Sequence, residues 1–185
     1  MIIFAVMTGK RFSYCLLCMC LVWLMMSCAG NATEMRQHLE ELEQQNSSGE
    51  KLVNDSLAEA LVTYFNSHGD ADEQMRAKYI LGCTYCNINE LPRALMAYYE
   101  AADCADTTRA DCNYKLLSLI HGQCAMIYHT QVQPRSELQE LRLSERYAWK
   151  DKDTHQAIKR YSQQSGAYDF LKMPDSVIYV KERAA

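Results

Sequence analysis

MRAKYILGCTYCNINELPRALMAYYEAA, residues Met75 to Ala102, is the stretch whose reading decides the fold. Apolar residues recur at helical spacing through Tyr79, Ile80, Leu81, Cys83 and Tyr85, break at the polar turn Asn87 to Glu90, and resume through Leu91, Ala94, Leu95, Tyr98 and Ala101. Two short antiparallel helices follow from that pattern. Gly82 and Ala94 are small where facing helices must approach closely, and Tyr85 and Tyr98 are large enough to fill the space beside them.

The order Leu81, Gly82, Tyr85, Ala94, Tyr98, Ala101 resembles a tetratricopeptide repeat. Lys78 stands where the family has an aromatic near the start of the first helix, and Asp106 where it has a closing proline. Upstream, Ala60 and Tyr64 precede Ala94 and Tyr98 by 34 residues, the repeat length of the family. They belong to a helix through Leu57, Leu61 and Phe65 that Ser56 and Glu59 open as a capping box and Gly69 ends. Asn46 to Glu50 reads as the loop before it. Downstream, Cys124, Ala125 and Tyr128 match Leu81, Gly82 and Tyr85 at an offset of 43 residues, which assigns about nine extra residues to Asp103–Cys112. Pro134 and Ser136 with Gln139 start the next helix, in which Glu137 and Leu141 replace the small and aromatic residues. Asp153 with Gln156 opens another, where Ser165 and Tyr168 restore the pair. Beyond the turn Lys172 to Asp175, the segment SVIYV (Ser176–Val180) also passes as a strand on its β-branched residues, and only the repeat register assigns it to a helix. The expected fold is all-α: helical hairpins of tetratricopeptide type stacked as a short right-handed α-solenoid of about three helix pairs.

At the N-terminus Lys10 and Arg11 precede an apolar run from Phe12 to Met26, then Ser27 and Cys28. This resembles a bacterial lipoprotein signal of Bacteroidetes type, with Met25 where leucine is usual. The resemblance implies cleavage before Cys28, lipidation of that cysteine with more than one acyl chain, palmitate among them, and membrane anchorage through the lipid. An uncleaved anchor helix is the other reading. The organisation expected is a signal over 1–27, a tether and N-terminal capping helix over 28–50, and the repeat domain over 51–185. The capping helix would run from Thr33 to Gln45 with Met35, Leu39 and Leu42 on one side. Many relatives carry an acidic run after the cysteine that directs export to the cell surface. None follows Cys28, so a periplasm-facing place in the cell envelope is expected.

The chain carries 19 basic and 23 acidic residues, for a net charge of −4, and the signal takes two basic and no acidic residues with it. This balance argues against nucleic acid as a partner. Beyond Cys28 stand Cys83, Cys86, Cys104, Cys112 and Cys124, an odd number for an exported chain. Cys104 and Cys112 flank the extra residues, where a disulfide would close the loop; two free thiols against the helix ends are the alternative. Cys83 and Cys86 form a C-x-x-C deep in a helix, with no preceding strand and no second pair, and read as ordinary helix residues.

No H-E-x-x-H, G-x-S-x-G, phosphate-binding or dinucleotide pattern occurs, so no catalytic residue, metal or cofactor is expected. His68, Asp70 and Asp72 read as a helix stop followed by a new cap. In the tetratricopeptide family the first helix of each unit lines a concave groove that binds extended peptides or a partner helix. By register this implies Arg76, Tyr79 and Asn87 in the central unit, Met126 and His129 in the next, and Lys159, Asp169 and Phe170 in the last. The function expected is a non-catalytic protein-interaction scaffold, lipid-anchored in a bacterial envelope, for an unidentified protein or peptide. Two further readings are a sensory repeat region of a longer signalling or transcriptional regulator, and a thiol oxidoreductase acting through Cys83 and Cys86.

Overall fold

The computed structural model describes residues 31–184, and within them the chain forms eight helices and no strand. They are α1 (residues 31–48), α2 (Asp55–His68), α3 (Ala71–Asn87), α4 (Leu91–Asp103), α5 (Tyr114–Thr130), α6 (Pro134–Lys150), α7 (Thr154–Phe170) and α8 (Pro174–Ala184). The signal expected over 1–27, and Cys28 after it, lie outside the described residues. The chain divides into two compact units, one up to Glu41 and one from Leu42 onward. In the first, residues 31–41 are helical, Leu39 is buried, and a hydrogen bond from Gln37 holds the Glu41 carboxyl below its usual value.

The second unit is a stack of consecutive helical hairpins, each helix packing on the ones before and after it. All three prolines of the chain stand in the first turn of the second helix of a hairpin: Pro92 in α4, Pro134 in α6 and Pro174 in α8. Their fixed φ suits a helix start, and the N–H they lack has no helical partner there. Each hairpin turn also closes alike. Asn89, Val132 and Lys172 take positive φ (65°, 54° and 55°). The next N–H then reaches back to a tyrosine carbonyl: Glu90 to Tyr85 at 2.8 Å, Gln133 to Tyr128 at 2.9 Å and Met173 to Tyr168 at 3.0 Å. This left-handed closure satisfies the carbonyls that a helix end leaves open.

Ser176–Val180 is helical within α8, as the repeat register assigned it: Pro174 starts a helix that docks on α7 and buries Val180. Other local expectations are corrected. α2 is capped by Asn54, whose side chain accepts from the Leu57 N–H at 3.1 Å, so Ser56 and Glu59 already lie inside the helix. The capping box belongs to Asp70 and Glu73 at the start of α3. Ser136 lies inside the first turn of α6, which has no side-chain cap. The loop expected at Asn46 to Glu50 lies later, from Gly49 to Asn54, since α1 continues through Ser48 and turns at Gly49 (φ 83°).

Packing follows the small-and-large pairing. A Cβ on Gly82 would lie 2.5 Å from the Tyr98 ring, so α3 and α4 approach at that glycine, with Ala94 and Tyr98 fully buried. α3 and α5 are buried on most sides, consistent with neighbours all round. The Tyr79 hydroxyl of α3 lies near Gln123 of α5, and a Cβ on Gly122 of α5 would strike the Arg160 guanidinium of α7. Arg93 of α4 pairs with Glu59 of α2 at 2.8 Å, and the Tyr99 hydroxyl of α4 donates to Glu140 of α6 at 2.9 Å. The odd helices α3, α5, α7 thus form one layer and the even helices α2, α4, α6 the other. The junction at 104–113 has ten non-helical residues, where the other junctions after α3 have three.

Candidate functional site

α5 and α7 run side by side with glycines facing the space between them. Gly122 admits the Arg160 guanidinium, and a Cβ on Gly166 would meet nothing. A cavity of about 200 Å³ results, lined by Gly122, Met126, His129, Glu137, Arg160 and Gln163 among others. Met126 and Phe170 stand more than half exposed on this face, and the Phe170 ring meets that of His129 edge to face at 6.2 Å. His129 Nδ1 lies 3.0 Å from Oε1 of the buried Glu137.

Arg160 is 9% exposed. Its Nη1 donates to Gln163 Oε1 at 3.1 Å, its Nε has no partner, and no carboxylate of the described residues pairs with it. Burial pulls the guanidinium below its usual pKa, and the nearby Tyr79 hydroxyl opposes the shift. Tyr79 itself is held protonated, pushed well above the tyrosine range by burial and then by Cys83. It therefore offers Arg160 a dipole and no negative charge.

The residues assigned to the groove from sequence are divided by the structure. Met126, His129 and Phe170 come together on the α5–α7 face. Asn87, Lys159 and Asp169 are exposed. Arg76 is engaged in a two-pronged pair with Glu43, its Nε 2.7 Å from Oε1, and Tyr79 is only 8% exposed. Arg160, Glu137 and Gln163 were not assigned to the groove, because their role depends on two hairpins meeting across Gly122. Gly122 was the available signal.

Tyr98 donates to Cys83 Sγ at 3.5 Å and Cys86 Sγ at 3.7 Å. Burial pushes the Cys83 thiol up to about 11 and raises that of Cys86, the opposite of what an attacking thiolate needs. Cys104 and Cys112 are free thiols lining one cavity of about 160 Å³ with Asp70, Asp72 and Arg109. Cys104 Sγ is met by Lys78 Nζ at 3.3 Å and lies 3.2 Å from the Glu100 carbonyl. His68 Nδ1 lies 3.0 Å from the Tyr64 carbonyl, and Asp70 caps α3, as a stop followed by a cap requires. Among the described residues no group of His, Cys, Asp or Glu is arranged to hold a metal ion, and no helix is long and apolar enough to cross a membrane. No protein-family model matches the chain, and no curated protein matches it in sequence.

Proposed function

We propose that this chain is a non-catalytic protein-interaction module of tetratricopeptide type, tethered to a bacterial cell envelope by a lipid on Cys28. The α3–α5–α7 layer receives a peptide or a partner helix. The observation that carries the reading is the pairing of two exposed apolar side chains, Met126 and Phe170, on one face of adjacent helices around His129 and a cavity. Large exposed apolar groups beside a recess are what a partner's anchor residues fill. The anchorage rests on the Lys10–Cys28 pattern and its resemblance to lipoprotein signals.

Crosslinking in envelope fractions tests both parts. Replacing Met126 and Phe170 together by alanine truncates side chains that are more than half exposed and outside the core, so the fold persists while the yield of the wild-type crosslinked partner falls by tenfold or more, about 1.4 kcal/mol or more of binding. Undiminished capture by the double variant counts against this face. The Cys28→Ser variant is expected to lose the lipid mass and to leave the membrane fraction, and a lipid mass retained on it removes the anchorage.

A further inference from the structure

Buried charges elsewhere in the second unit are matched. Glu140 accepts from Tyr99 and has His121 Nδ1 2.7 Å away, and Glu137 has His129. Arg160 is the exception among the described buried charges, since its one hydrogen-bonding partner is the neutral amide of Gln163. A desolvated guanidinium without a counter-charge opposes folding, and an incoming anion would relieve it. We propose that the Arg160 cavity is a carboxylate pocket that takes the side chain of an Asp or Glu from the segment bound on the α3–α5–α7 layer. This rests on the interaction reading above and gives it a chemistry.

Three features select that occupant. The cavity, about 200 Å³, is below the roughly 300–1,000 Å³ usual for small-molecule sites and suits one side chain. Glu137 forms part of the same wall, so a singly charged, planar carboxylate meets less repulsion there than a doubly charged phosphate would. The exposed Met126 on the rim, with Phe170 against His129, gives apolar contact to the peptide on either side of the acid. Gly122 keeps this arrangement open, because any side chain there displaces the guanidinium.

The test uses the full chain and three short peptides: acetyl-Ala-Glu-Ala amide, acetyl-Ala-Gln-Ala amide, and acetyl-Ala-Gln-Ala with a free C-terminal carboxylate. The Arg160 side-chain Nε–H resonance, assigned by its loss in Arg160→Gln, is followed by NMR. The glutamate peptide is expected to shift it saturably, the glutamine amide not to, and Gly122→Ala to weaken the response at least tenfold. Arg160→Gln, which removes an uncompensated charge, is expected to keep or raise the melting temperature, whereas a merely structural arginine would lower it. A resonance that ignores the glutamate peptide, or answers both amides equally, overturns the proposal. A response confined to the free C-terminus also overturns it, in favour of a chain terminus. If partner crosslinking depends on Met126 and Phe170 but not on Arg160, the pocket fails and the interaction face stands; dependence on neither removes both.

Discussion

Val132 closes α5 at φ 54°, where a β-branched residue is strained, and its side chain is 65% exposed and contributes nothing to the core. The equivalent turn after α3 uses asparagine, a residue that tolerates the left-handed region. Val132→Asn is therefore expected to raise stability by about 1 kcal/mol, read as a higher urea midpoint with unchanged slope. A lower midpoint would mean that the valine side chain is held by something other than this turn. Cys83 gives a second test, in pH. Its folded pKa of about 11 exceeds the ordinary 9.0 because the thiolate is desolvated, so the folded state keeps a proton that the unfolded state releases first. The contribution is intact below pH 9 and is lost as pH rises through about 11. At about 1.4 kcal/mol per unit the loss is on the order of 3 kcal/mol. Denaturation midpoints of the wild type should fall across that window, and Cys83→Ala should flatten the fall. Buried Tyr98, whose hydroxyl burial also holds protonated, adds loss of the same sign at higher pH.

One network, centred on the buried Glu140, joins elements across the hairpin boundary. α4 and α5 share the thinnest interface between successive helices from α2 to α8, and there Tyr99 of α4 reaches both Tyr128 of α5 (3.0 Å) and Glu140 of α6, which in turn meets His121. Removing the acceptor takes a partner from the buried His121 ring and from the part-buried Tyr99 hydroxyl, at about 1–3 kcal/mol for a buried group. Glu140→Leu is expected to cost on the order of 3 kcal/mol and to separate unfolding of α2–α4 from that of α5–α8, while Glu140→Gln keeps most of the bonds. One coincident transition by far-ultraviolet circular dichroism and by tyrosine fluorescence in the leucine variant would show that the boundary is held by other contacts. This is also the level at which sequence reading succeeded or failed. Gly82 against Tyr98 was legible because both residues sit in one hairpin, where short-range spacing fixes which side chains meet. Pro92, Pro134 and Pro174 mark the repeat as clearly as the small residues do, by opening each second helix. The turn residues before them, Asn89, Val132 and Lys172, share a conformation without sharing chemistry, so the backbone recurrence leaves no trace in residue type. Glu140 and Arg160 act between hairpins, and no local period places them together with their neighbours.

Within the second unit, helices meet only near neighbours, so stability is expected to vary along the stack instead of forming one cooperative whole. α5 and α6 share the most extensive interface, and there the Ser118 and Ser144 hydroxyls each donate to the other's carbonyl, at 2.8 and 2.6 Å. α7 offers α6 and α8 a poorer core, since its buried residues are Ala157, Arg160, Gln164 and Ala167, two of them polar. α8 packs on α7 and leaves Ile178 and Tyr179 more than half exposed. Hydrogen exchange followed by mass spectrometry should accordingly show α5 and α6 most protected, α7 less, and α8 exchanging first. A bound segment that supplied Arg160 with its missing charge would raise protection in α7 and in the α5 turn around Gly122, and leave α2 unchanged, because free energy gained at one interface of such a stack is felt most by its immediate neighbours. Equal protection from α2 to α8 would instead require a single cooperative core, which contacts limited to near-neighbour helices do not provide.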